Sequence, residues 1–171
     1  MLKKTAAALA LSLFMGKPEN VKAQPGIHST QVIVFRHAEK ENGSSADPSL
    51  SPAGKERAER IAAMLKDIPV DALYATPYRR TEQTLAPLAA SRQQSIKTYN
   101  PSALQPLVEA LRKEEGKTIV IAGHANTAPE LVNLLTERNQ YQQLSEEDFG
   151  RMWVVTLYQG KAVSCLLLNT N

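Results

Sequence analysis

Two short apolar runs, each stopping on a histidine, constrain this chain more than any other feature of its sequence. Residues 31–35 and 118–122 are rich in valine and isoleucine, with no regular polar alternation. That is the pattern of a strand covered on both faces. The first run leads into Arg36-His37 and the second into Gly123-His124. A strand hidden on both sides needs a helical layer above and below it, so an α/β fold is predicted.

The rest of the chain supplies those layers. Ser51 is placed to cap a helix whose first-turn proline is Pro52, with an apolar stripe of Ala58, Ile61, Ala62 and Leu65. Further helices are predicted over residues 79–90, 104–113 and 129–137. In the second of these Leu104, Leu107, Val108 and Leu111 share a face, and Gly116 stops it. Residues 70–75 read as a short strand and 95–99 as a weak one. Residues 152–158 and 162–168 read as two closing strands joined by Gln159-Gly160, a hairpin signal. The expected architecture is a three-layer α/β sandwich: a mixed, mostly parallel sheet flanked by helices. Ligands of such sheets gather at the carboxyl ends of the strands. Arg36-His37, residues 76–80 and His124 all fall at that end.

A length of 171 residues suits one domain once a processed segment is removed. Lys3 and Lys4 precede a short apolar run over residues 6–15, and Val21-Lys22-Ala23 offers a cleavage site after Ala23. Residues 1–23 therefore read as a signal peptide, 24–30 as a linker and 31–171 as the folded domain, with a periplasmic or secreted destination. The apolar run is too short to span a bilayer, so no stable membrane insertion is expected after processing. The net charge of +3 comes from that leader, which holds four lysines and one glutamate; the remainder balances at 16 basic and 16 acidic residues. Overall charge thus gives no support to a nucleic-acid partner. Cys165 is the one cysteine, so no internal disulfide or cysteine-based metal site can form. Standing among Val163, Leu166, Leu167 and Leu168, it reads as a buried small hydrophobe.

Arginines and histidines at strand ends suit phosphoryl chemistry. The guanidinium fork binds two oxygens at once and keeps its charge, and a neutral imidazole can attack phosphorus near neutral pH. Of three histidines, His28 lies in the linker and is read as inert. The segments around the other two carry a wider pattern. Val34-Phe35-Arg36-His37-Ala38-Glu39-Lys40 resembles the Arg-His-Gly signature of the histidine phosphatase (phosphoglycerate-mutase-like) superfamily. Leu50-Ser51-Pro52-Ala53-Gly54 resembles its first helix start, where the glycine is expected to allow close packing on the sheet. The segment from Thr76 to Thr84 is similar to its Ser-Pro-Leu-x-Arg-Ala-x-Gln-Thr stretch, and Ile121 to Thr127 to its Gly-His stretch.

The resemblance implies a pocket in which Arg36 and Arg80 clamp phosphate oxygens, His37 attacks phosphorus and His124 hydrogen-bonds the transferring group. Arg80, not Arg79, is in register with Gln83-Thr84; Arg79 is expected to be solvated. Lys40 stands where Ser or Thr is common and is a candidate substrate contact, with a solvated loop lysine as the alternative. Glu39 is expected in a supporting salt bridge. No metal and no cofactor are implied, and the expected partner is a small phosphorylated substrate. The general acid is unassigned: Ala125 follows the second histidine, and no motif selects among Glu82, Glu109, Glu114 and Glu115. Without one, good leaving groups would be favoured. The implied activity is phosphate-ester hydrolysis through a phosphohistidine on His37. A silent phosphate- or phospho-sugar-binding envelope protein is the alternative, with a phosphomutase behind it because the short chain leaves little room for the required insertions.

Overall fold

A computed structural model describes residues 28–43 and 45–170. The predicted leader lies outside these residues. Ten elements follow in the order β1 (Thr30–Arg36), α1 (Pro52–Met64), β2 (Ala72–Ala75), α2 (Arg79–Arg92), β3 (Ile96–Thr98), α3 (Gln105–Lys113), β4 (Thr118–Gly123), α4 (Thr127–Thr136), β5 (Arg151–Tyr158) and β6 (Lys161–Asn169). They make one six-stranded sheet in the order β3-β2-β4-β1-β5-β6. The first four in that order are parallel, and β5 and β6 are added antiparallel. The expected three-layer sandwich is the one observed.

Alternation along the central strands divides the core in two. On one face Val32 and Val34 of β1, Ile119 and Ile121 of β4, and Trp153 and Val155 of β5 meet α3 and α4 through Leu107, Val108, Leu111, Leu131 and Leu135. On the other, Ile33, Phe35, Val120, Ala122 and Met152 meet α1 and α2 through Ile61, Leu85 and Leu88. This double cover is why β1 and β4 read as unbroken apolar runs.

Ser51 caps α1 as expected, its hydroxyl accepting from the Gly54 amide at 3.1 Å. The hairpin turn is also as predicted: Gln159 and Gly160 have φ of 50° and 74°, the two positive values of a type I′ turn. Two expectations need correction. A Cβ on Gly54 would lie 2.0 Å from the Glu39 carbonyl oxygen, so this glycine admits the backbone just after the first histidine, not the sheet. Cys165 is only half-buried, and Val163, Leu166, Leu167 and Leu168 are exposed. β6 is an edge strand: Ala162 and Cys165 pack against the core on the α4 side, while the other apolar residues of the strand face solvent.

Candidate active site

The register of two parallel strands creates the site. Arg36 of β1 is the partner of Gly123 of β4, so the next residue of each strand, His37 and His124, emerges at the same sheet edge. The His37 amide donates to the Gly123 carbonyl at 2.8 Å, and the ring centroids stand 5.5 Å apart. Arg80, in the first turn of α2, brings its Nη2 to 3.5 Å from Nδ1 of His124, the outer limit of a hydrogen bond. With Arg36 and Lys40 these residues line a cavity of about 400 Å³. All five candidate residues thus meet in one place. Arg79 is exposed, as expected.

The ring of His37 is held in one tautomer. Its Nδ1 lies 2.8 Å from the Ala38 carbonyl, which can only accept, so Nδ1 carries the proton and Nε2 keeps its lone pair. Burial lowers the pKa of His37 to about 3, with Arg36, His124 and Arg80 adding to the effect against the Ala38 bond. His37 is therefore a neutral imidazole with a free Nε2 at neutral pH. His124 is lowered to about 4, by burial first and then by Arg80 and Arg36. Its Nε2 sits 2.9 Å from the Thr76 hydroxyl, which lies 2.9 Å from that of Thr81. Arg80 can only donate, so Nδ1 of His124 accepts, Nε2–H donates to Thr76, and the hydroxyl chain passes on toward the Tyr78 carbonyl.

The residues flanking the histidines explain the motif. The Thr84 hydroxyl donates to the Arg80 carbonyl at 2.7 Å and accepts from the buried Ala38 amide at 2.9 Å, tying the turn after His37 to α2. Gln83 accepts from the Leu50 amide at 2.8 Å. Glu39 makes the predicted ion pair, with Arg57 at 2.8 Å. Asp47 accepts from the Arg79 amide at 3.0 Å, capping α2 where Tyr78 has no capping side chain. Its carboxylate also lies 3.6 Å from Nη1 of Arg80.

Other contributors were not picked out from the sequence. The Tyr78 ring lies 4.5 Å from the Arg80 guanidinium carbon and edge-on to His124. The irregular segment between α4 and β5 closes the cavity. From it, Ser145, Glu146 and Asp148 offer backbone carbonyls to Nη1 of Arg36 at 2.7, 3.1 and 3.2 Å. The Glu146 carboxylate takes Nη2 at 3.2 Å, and Phe149 stacks under the guanidinium at 4.1 Å. Burial lowers the pKa of Arg36, opposed by Glu146 and Asp148. The acidic run Glu146-Glu147-Asp148 was the only signal in the sequence, and no period or motif gave it a direction. Glu82, Glu109, Glu114 and Glu115 are all exposed and none lines the cavity; among the described residues the one carboxylate that does is Glu146.

A buried neutral imidazole beside two guanidinium groups, at the carboxyl ends of a mostly parallel sheet, forms a site suited to an anion. The family model described as histidine phosphatase superfamily (branch 1) matches residues 32–100, which hold Arg36, His37 and Arg80; His124 completes the quartet beyond them. That model spans 69 of the 171 residues, and over them the chain is similar to the histidine phosphatase superfamily. No curated protein matches it by sequence. Solved structures share its fold. The protein histidine phosphatase SixA complexed with tungstate is 19% identical at a TM-score of 0.67, covering 82% of this chain and 97% of its own. Phosphoserine phosphatase from Entamoeba histolytica, in complex with 3-phosphoglyceric acid, is 16% identical at 0.66, covering 83% and 98%. A mycobacterial glucosyl-3-phosphoglycerate phosphatase is 11% identical at 0.67, covering 83% and 99%.

Proposed function

We propose that this protein is a phosphatase that transfers a phosphoryl group to Nε2 of His37 and then to water. The observation that carries the reading is the state of His37: neutral, with Nδ1–H bound to the Ala38 carbonyl and Nε2 left as the nucleophile in an arginine-lined cavity. In the first step the Nε2 lone pair forms the N–P bond while the bond from phosphorus to the leaving group breaks, its electrons departing with that group. Arg36 and Arg80 hold phosphoryl oxygens and His124, accepting from Arg80 at Nδ1, aims that guanidinium, so the charge that builds in the transition state meets preorganised partners. In the second step water attacks phosphorus, the P–N electrons return to Nε2, and inorganic phosphate leaves with a proton released to solvent.

The arginines take the part that a cation plays elsewhere, so the activity is metal-independent. Among the described residues the only carboxylate that lines the cavity is bonded to Arg36, which makes it a poor proton donor. The substrates are therefore those whose leaving group departs easily, such as aryl or acyl phosphates or phosphohistidine. Lys40, exposed at the rim, contacts the substrate beyond the phosphoryl group. Export follows from the leader, with Gln24 as the mature N-terminus, which mass spectrometry of the natural protein checks. The decisive test is hydrolysis of p-nitrophenyl phosphate after exhaustive EDTA treatment, with and without tungstate. The expected result is turnover that survives chelation, is inhibited by the oxyanion and is absent from His37→Ala. Tungstate binding without turnover would instead indicate a silent binding protein.

A further inference from the structure

Arg36 lines the cavity with both Nη groups engaged, while its buried Nε has no hydrogen-bond partner among the described residues. Nη1 is fixed by three backbone carbonyls at 2.7 to 3.2 Å, and the side chain is 2% exposed, so the guanidinium cannot swing toward a ligand. Nη2 is different. Among the described residues it donates to a carboxylate oxygen of Glu146 at 3.2 Å, on a side chain that is 77% exposed and can turn out into water once another acceptor takes its place on the buried Nη2. An anionic oxygen on Nη2 at that distance is what a phosphoryl oxygen would be. A second anion arriving there must either displace the first or sit beside it against repulsion.

We propose that Glu146 is a displaceable stand-in for a phosphoryl oxygen on Arg36, and that its charge sets how tightly the pocket holds phosphate, as substrate and as product. This rests on the phosphatase reading above. The segment that supplies it serves two ends: its carbonyls position Arg36 permanently, and its one reaching carboxylate keeps the clamp occupied while the pocket is empty. The same competition would speed release of inorganic phosphate after each turnover, at a cost in affinity for the ester.

The test is direct binding of inorganic phosphate and tungstate, by calorimetry on the full chain, to the parent protein, Glu146→Gln, Glu146→Ala and Glu147→Gln. The amide of Glu146→Gln keeps an acceptor for Nη2 and removes only the charge; Glu147 is an equal charge one residue away that does not line the cavity. The expected result is roughly three- to tenfold tighter binding in Glu146→Gln at low salt, the scale of an exposed ion pair plus its screening. Glu146→Ala should bind at least as tightly, both differences should narrow at high salt, and Glu147→Gln should match the parent. Equal or weaker binding by both Glu146 variants would show that Glu146 positions Arg36, and would overturn the inference while leaving the phosphatase reading intact. A parent protein that binds neither oxyanion would overturn both.

Discussion

On one side of the cavity, His37, His124 and Arg80 ride on strand ends and the first turn of a helix, locked by hydrogen bonds through Thr76, Thr81 and Thr84. On the other side, Arg36 is gripped by an irregular segment that belongs to no strand or helix and presents carbonyls and a mobile-length carboxylate. The first side fixes geometry through the sheet register, so its precision comes from the whole core. The second fixes charge, and a few residues determine it. Damage to the first should therefore remove chemistry, whereas changes to the second should adjust affinity.

The sharpest way to break the comparison is to remove each histidine from the first side. His37→Ala should abolish turnover and any acid-labile phosphorylation of the protein, because Nε2 of His37 is the atom proposed to form the N–P bond. His124→Ala should slow turnover by ~10²–10³, the usual loss for one preorganised donor, here Arg80 left without the acceptor that aims it, while label still forms on His37. Rapid-quench trapping with a ³²P-labelled substrate, then peptide mapping, measures both. Label on His124, or label persisting in His37→Ala, would reverse the roles or reject the mechanism.

Next in size is the pH dependence. A pKa lowered to about 3 keeps His37 neutral as pH falls through the ordinary imidazole range, so its nucleophilicity is present above that value and lost only as pH approaches it. An imidazole of ordinary pKa would be only about 3% neutral at pH 5, a ~30-fold loss. The rate at which diethyl pyrocarbonate ethoxycarbonylates His37, followed by peptide mass spectrometry, should instead be nearly flat from pH 8 to 5. A midpoint near 6.5 would mean that the ring is solvated and the buried site is wrong.

What could be read in advance follows the same division. The doubly covered strands, the Ser51 cap and the Gln159-Gly160 turn were legible because each depends on local pattern or backbone chemistry. So were His37, His124 and Arg80, which sit at the ends of such elements. Glu146 and Phe149 were not, because an irregular segment has no period, and the contacts that orient it are with Arg36 more than a hundred positions away. Tyr78 stood within a recognised stretch, yet nothing in the chain indicated that its ring would lie beside Arg80. The exposure of β6 escaped notice for another reason: an apolar run looks the same whether a helix covers it or not, and only the strand order places it at the edge.

A smaller change tests how the first side is held. Thr84→Val keeps the shape of the side chain but leaves the Ala38 amide buried without its acceptor and frees the Arg80 carbonyl of a bond. An unmet buried donor costs ~1–3 kcal/mol. Urea unfolding should show a loss in that range with an unchanged m-value, and kcat should fall alongside it because the turn bearing His37 is no longer tied to α2. Full stability in Thr84→Val would mean that the Ala38 amide finds another partner and that the tie is not needed.

The smallest effect should come from the far edge of the sheet, where the contrast between covered and uncovered apolar residues is most direct. Leu131 on α4 is 1% exposed, and Leu166 on β6 is 55% exposed. Leu131→Ala removes packed methyl groups and leaves a cavity, at a cost of ~2–5 kcal/mol. Leu166→Lys removes little that is packed, and a long lysine stem can lie along the strand with its charge in water. Its effect on unfolding should stay within about 0.5 kcal/mol of the parent, as for other surface substitutions. A lysine also guards an open edge against pairing with another chain, so the variant should resist aggregation better on heating. A loss of stability near that of Leu131→Ala would mean that β6 is covered in solution, either by a second copy of the chain or by residues outside those described.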